Sequence, residues 1–287
     1  MSQFSELTVD KFDGPPQAEA EGAQSWLTRS ANFVVRFTRA KAGARLERKN
    51  NSDEYFVLAP DAGAQIEWGG ETTCVEAGSL VIVPPGASAI IASGEGAIVS
   101  VFSSQASDLI DAARNADTYR NDVGAAPLVS WPMPVGGYRV RAYRLDDYNR
   151  DDTLMRLFRT RNLMINVFRQ RVVPRDVTKL SPHSHLDFEQ GSVTLRGRWM
   201  HHIRYPWGAD MTAWRPDEAA EVNSPSVTII PCQAIHTSRN LDPNSWLVDI
   251  FAPPRADFAR RPGLVCNADE YPMPAEIAAL PALAKAD

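Results

Sequence analysis

A chain of 287 residues, 44% hydrophobic and 23% charged, has the profile of a globular protein large enough to bury its core without disulfide staples. Its net charge of −5 gives no general attraction to nucleic acid. No stretch is apolar enough to span a membrane, since the best run, Leu80 to Ile91, is broken by Pro84, Pro85 and Gly86. The polar, acidic segment from Met1 to Glu21 lacks the apolar centre of a signal peptide. Cys74, Cys232 and Cys266 are odd in number and scattered, so a cytoplasmic location is expected rather than a disulfide framework.

In chain order, the first half reads as short strands at Phe33–Thr38, Glu54–Leu58, Ala64–Trp68, Ser79–Val83, Ser88–Ile91 and Ala97–Phe102. These runs are rich in β-branched and aromatic residues and are separated by Gly, Pro, Asn and Asp. Ser107–Ala116 reads as a helix with Ser107 as its N-cap and an acidic first turn. Gly124 to Gly137, with three prolines and a glycine pair, reads as a linker. The second half continues with strands at Tyr138–Tyr143, Leu163–Val173, Ser192–Leu195, Trp199–Arg204, Ser226–Ile230 and Trp246–Ile250. The Pro- and Ala-rich tail has room for a short helix at Ala275–Leu280 and shows no evident chemistry.

The halves resemble each other. Gly78-Ser79-Leu80-Val81-Ile82-Val83-Pro84-Pro85-Gly86-Ala87-Ser88-Ala89 aligns with Pro225-Ser226-Val227-Thr228-Ile229-Ile230-Pro231-Cys232-Gln233-Ala234-Ile235-His236. Each copy is an apolar strand, a proline-bearing turn and the start of another strand. Two similar sets of short strands point to an all-β protein of two tandem antiparallel sandwiches or barrels.

No histidine precedes His183. His183 and His185 stand two apart, a spacing that puts both imidazoles on one face of a strand. His236 can close a site from a distant strand, and Glu189 or Gln190 can add an oxygen. A mixed nitrogen and oxygen set suits a divalent transition metal, Fe, Mn, Ni, Cu, Co or Zn, without choosing among them. The competing reading is that these histidines are simply satisfied in a core or loop.

These residues resemble the two motifs of the cupin superfamily. The first, roughly G-x5-H-x-H-x3-4-E-x6-G, is matched by His183, His185, Glu189 or Gln190, and Gly197. The second, G-x5-P-x-G-x2-H-x3-N, is matched by Pro231, His236 and Asn240, with Pro225 and Gln233 in place of its glycines. Val177 stands where the first motif opens with glycine. In the first half Gly78, Pro84 and Gly86 keep the second motif and Glu54 stands at the Glu position. Arg48, Asn50 and Ala89 replace the histidines. The resemblance, over about residues 30 to 255, implies two tandem cupin jelly-roll barrels joined by a short helix. Residues 1–125 would form a barrel without metal ligands and residues 126–287 a metal-binding one. Cupin relatives often pair, so a homodimer is expected.

Glu189 fits the shorter motif spacing and Gln190 the longer, and adjacent strand residues point to opposite faces, so one of them is expected at the metal. The motif spacing as a whole leans to Gln190. A neutral Gln beside three histidines leaves a divalent ion its full charge, which favours Lewis-acid polarisation. A Glu would partly neutralise it, as in cupin dioxygenases. On Trp199–Arg204, His201 and His202 are candidate proton carriers, one of which faces inward. Trp199 and Arg204 are candidate substrate contacts, with Tyr205 and Trp207 nearby. The arginines between Arg139 and Arg175 read mainly as a solvated ion-pair surface, from which one could still enter a barrel and hold a carboxylate.

Three functions follow as expectations. The first is a metal-dependent enzyme acting on a small sugar acid or keto acid by proton transfer, of isomerase or lyase type. The second is a non-heme metal dioxygenase for a catechol-, diketone- or flavonol-like substrate. The third is a non-catalytic metabolite-binding bicupin. All involve a small-molecule partner, with neither nucleic acid nor membrane.

Overall fold

The computed structural model describes residues 5–119 and 124–280. Strands dominate and assemble into four sheets. A seven-stranded sheet runs in the order Arg141–Arg144, Ser79–Val83, Tyr55–Ala59, Gly96–Ser103, Phe33–Ala40, Ala23–Arg29, Ala18–Ala20. It faces a four-stranded sheet of Arg45–Asn51, Gly86–Ala92, Ala64–Trp68 and Glu71–Val75. Together they form the first barrel. The second barrel pairs a six-stranded sheet with a three-stranded one. The larger is ordered Thr8–Asp10, Ser226–Ile230, Gln190–Arg196, Trp246–Phe251, Met164–Val167, Leu157–Arg159. The smaller is ordered Glu218–Asn223, Arg198–Arg204, Ile235–Asn240.

The two large sheets pack back to back. Phe33, Val35, Phe37, Phe56 and Leu58 of the first join Ile165, Val193, Ile229, Val248 and Ile250 of the second in one core cluster. Alternate residues on the same strands, such as Val34, Tyr55 and Val57, fill the first barrel's interior instead. Period-two geometry therefore sends most side chains of the central strands into one of two buried layers. This explains why the strands read as nearly continuous apolar runs. Full burial of such a side chain contributes about 1.5–3 kcal/mol. The layer is tight at Gly191, where a β-carbon would stand 2.8 Å from the Phe33 ring.

Two strands cross the expected division after residue 125. Thr8–Asp10 pairs with Ser226–Ile230 at the edge of the second barrel's large sheet. Arg141–Arg144 pairs with Ser79–Val83 at the edge of the first. Each half thus covers an open edge of the other's sheet.

The apolar strands lie close to where the sequence puts them, and Ala64–Trp68, Ser79–Val83 and Ser226–Ile230 coincide. Polar strands were missed. In Arg45–Asn51 the buried residues are Leu46, Arg48 and Asn51, too few apolar groups to mark a strand. The long strand expected at Leu163–Val173 ends at Val167. There the buried Arg156 guanidinium donates to the Val167 and Phe168 carbonyls and takes the place of a neighbouring strand. The connecting helix is Ser107–Ala112, and its N-cap is Ala106, not Ser107, with no side-chain cap. The tail helix spans Ala275–Ala278. No helix among the described residues is long and apolar enough to cross a membrane.

Candidate metal centre

The ligand-bearing segments are clamped by backbone bonds. His183 N–H donates to His236 O at 3.0 Å, and His236 N–H returns the bond at 2.8 Å. Gln233 N–H donates to His185 O at 2.6 Å. Gln233 stands where the motif has glycine, and it keeps the left-handed backbone, with φ +65°. The ligand atoms of His183, His185 and His236 lie within 4.8 Å of one another.

Hydrogen bonds orient this set. His183 Nδ1 faces Ser181 O at 3.0 Å and His236 Nδ1 faces Ala234 O at 2.9 Å, so each carries its proton there and leaves Nε2 bare. Gln190 Oε1 lies 3.1 Å from His185 Nε2 and 3.3 Å from His236 Nε2. The amide cannot turn freely. Its Nε2 donates to Ser192 Oγ at 3.1 Å, and Ser192 donates to Asp249 Oδ1 at 2.7 Å. The His236 and Gln190 lone pairs thus face each other, an arrangement that a shared cation resolves. Neutral imidazoles and one amide oxygen fit a divalent transition metal. Burial is the main cause that holds His185 down to about 3 and His236 down to about 4, and it lowers His183 as well. All three are therefore neutral and able to ligate at pH 7.

Of the two adjacent candidates, Gln190 faces this centre and Glu189 does not. Glu189 shares its strand face with Gly191 and Val193, toward the other barrel, and its Oε1 accepts from Ala31 N–H at 3.3 Å. Strand alternation permits one or the other, and packing between the barrels takes Glu189.

The strand Arg198–Arg204 divides its candidates similarly. Trp199 is buried and lines the cavity beside the histidines. His201 faces inward but is fully buried, outside the cavity wall, with Nδ1 2.7 Å from Ser238 Oγ. Burial, then the neighbouring His236, holds it down to about 3, so its place is behind the centre and not against a substrate. His202 sits half-buried on the opposite face. Arg204 is exposed and doubly bonded to Asp217. Neither His202 nor Arg204 reaches the cavity, because each is one residue out of phase with the inward set.

The cavity of about 470 Å³ opens beside His183, His236 and Gln190. Its wall holds residues that the sequence did not single out. Asp249, 8% exposed, is pushed up to about 6, mainly by burial. It is the single carboxylate in Trp246–Phe251, otherwise an apolar run, and that interruption was the available signal. Arg171 and Arg175 enter from the segment beyond Val167. Arg175 donates to Ser238 O and Ser181 Oγ, tying the histidine loop to its neighbouring strand. Asn240, the motif asparagine, accepts from Arg175 N–H and donates to Val173 O, which fixes where this arginine loop lies. Arg255, from the tail that showed no evident chemistry, also lines the cavity, paired with Asp257 and lying over the Phe258 ring at 3.4 Å.

No family model matches the sequence, and no curated protein matches it. Solved structures do match the fold. The E. coli protein Ylba superposes with a TM-score of 0.59 at 10% identity, over 86% of this chain and 91% of that one. The oxalate decarboxylase of Lactobacillus farciminis, a formate complex, gives 0.57 at 15% identity, over 88% and 87%. A Bacillus subtilis oxalate decarboxylase variant gives 0.56 at 14% identity, over 92% and 83%. The fold is that of the cupin superfamily, in its two-barrel form. The chain has this two-barrel fold, with a histidine cluster in its second barrel.

Proposed function

We propose that this protein is a metal-dependent enzyme acting on a small carboxylate-bearing metabolite, a sugar acid or keto acid, by proton transfer of isomerase or lyase type. The observation that carries this reading is one cavity wall holding His183, His236 and Gln190 together with Arg171 and Asp249. His183, His185, His236 and Gln190 would hold a divalent ion, which supplies Lewis-acid polarisation of a carbonyl or enediol. Arg171 and Arg175 line the same cavity, and Arg171 would receive the substrate carboxylate. Trp199 and Phe251 wall the site with apolar surface. Asp249, with its affinity for a proton raised toward neutrality, takes and returns the proton at a carboxylate oxygen. It replaces His201 and His202 in that role. Ser192 holds both Asp249 and the Gln190 amide in place.

The likeness to oxalate decarboxylases, one in a formate complex, supports a small carboxylate as the substrate class. The dioxygenase reading leaned on Glu189 as a ligand and loses that support. The test uses protein purified without an affinity tag and loaded with one divalent ion at a time. Uronates and 2-keto acids are supplied in deuterium oxide. The expected result is metal-dependent deuterium uptake at the carbon beside the carbonyl, without oxygen consumption. Oxygen uptake with catechols or diketones would favour the dioxygenase. Ligand binding with neither exchange nor turnover would leave a binding protein.

A further inference from the structure

The first barrel carries a polar cluster at the positions where the second carries its histidines. Gln190 lies opposite Ile230 and Phe251 in register, and Tyr55 lies opposite Val83 and Phe102 in the same way. His183 bridges to His236, and Arg48 pairs with Ser88. Asn166 pairs with Asp249, and Arg36 with Ser100. The second barrel's set of lone pairs and one carboxylate is therefore matched in the first by two guanidinium groups and three hydroxyls.

These donors are buried and under-supplied with acceptors. Arg36 is 6% exposed and Arg48 8% exposed. Arg48 donates to Asp108 at 2.7 and 3.1 Å and to Asn51 Oδ1 at 3.0 Å. Arg36 has a long bond of 3.3 Å to Ser100 Oγ. The Nε–H groups of both arginines are buried without an acceptor. Tyr55 and Ser88 share one hydrogen bond at 3.0 Å, which uses one of their two hydroxyl hydrogens. Both guanidinium groups lie near the same Phe102 ring, at 5.3 and 5.4 Å from its centroid. Asp108, largely exposed, is the carboxylate that pairs with Arg48. Buried charge without a counter-charge is costly, and burial pulls Arg36 down to about 10.

We propose that the first barrel is an anion site, in which a small monoanion, a halide or a carboxylate of formate size, accepts from Arg36 Nε–H, Arg48 Nε–H and the free hydroxyl of the Tyr55–Ser88 pair. The burial of both Nε atoms favours a small anion over a larger metabolite. The site is independent of the metal centre and of the activity proposed for it.

The test is thermal unfolding in sodium chloride, sodium formate and sodium isethionate at equal ionic strength. At saturation, chloride or formate should raise the wild-type midpoint by about 5 °C over isethionate, a larger sulfonate anion. The lower half-saturation of the two identifies whether the site prefers a halide or a carboxylate. Arg36→Met should abolish the shift, and Arg171→Gln, in the other barrel's cavity, should keep it. No wild-type shift, or a shift that disappears with Arg171→Gln and persists in Arg36→Met, overturns the proposal. Should Arg36→Met fail to fold, wild-type crystals soaked in bromide decide the matter. An anomalous peak within hydrogen-bond reach of both Nε atoms supports the site, and its absence there refutes it.

Discussion

The two barrels share a register and differ in the sign of what they place inside. Where the second has His183, His236 and Gln190, the first has Arg48, Ser88 and Tyr55. The first barrel did not lose its centre by becoming apolar. An Arg48–Asp108 ion pair and a Tyr55–Ser88 hydrogen bond occupy it. The register also corrects the alignment read from the sequence. Ser88, not Ala89, pairs across from Arg48, and Tyr55, not Glu54, holds the inward position. Glu54 and Glu189 are equivalent, and both are buried between the barrels. The fold conserves which residue of a strand faces inward, and side-chain chemistry at those few positions then decides what the interior can bind.

The largest effect that tests this contrast is expected at a ligand. His236→Ala should weaken metal binding by more than about 100-fold in calorimetry. Ser88→Ala, at the matching place in the other barrel, should leave metal stoichiometry unchanged. Equal losses in both would mean that the first barrel also holds the ion. Next comes Asp249→Asn, expected to reduce turnover about 10²–10⁴-fold with metal content retained. Loss of metal in that variant would instead make Asp249 a positioning residue acting through Ser192 and Gln190.

Gln190→Ala and Glu189→Gln set neighbouring residues against each other. The first should cost about 10–100-fold in metal affinity. The second should leave affinity intact and lower stability by about 1 kcal/mol through the weakened bond to Ala31. A larger metal defect in Glu189→Gln would reverse the assignment.

The interface makes a pH prediction. Burial pushes Glu54 up from 4.5 to about 7, while Tyr271 donates to it at 2.6 Å. The folded state therefore binds a proton that the unfolded chain releases earlier. Stability from this group is complete below about pH 4.5 and is lost as pH rises toward about 7. The total is on the order of 3 kcal/mol. Glu54→Gln should flatten this part of the stability profile in denaturant titrations at pH 5 and pH 8. Asp249 contributes a slope of the same sign, so the difference between wild type and variant is the quantity to read. Identical slopes would show that Glu54 is ionised in the folded protein.

Much of this was legible in the sequence for identifiable reasons. The histidine spacing survives folding because a clamp of backbone bonds between His183 and His236 preserves it. The apolar strands were visible because both faces of the large sheets are buried. Polar strands such as Arg45–Asn51 were not, since Leu46 is the one buried apolar residue there, beside Arg48 and Asn51. Asp249 left a trace, one carboxylate in an apolar strand. The sequence allowed an arginine of the Arg139–Arg175 stretch to enter a barrel, but that Arg171, Arg175 and Arg255 would do so was not legible, because they reach the cavity from irregular segments whose course depends on the Arg156 and Asn240 bonds.

By itself the sequence determined the all-β architecture, the doubled barrel and the half of the chain that can hold a metal through histidine. Those properties rest on local spacing and on period-two patterning, which any strand imposes. Only the tertiary structure decided that Gln190 and not Glu189 meets the histidines, and that Ser88 and Tyr55 join Arg48 at the matching places of the first barrel. An alternating strand offers two faces, and its own residues do not say which one the neighbouring barrel will cover.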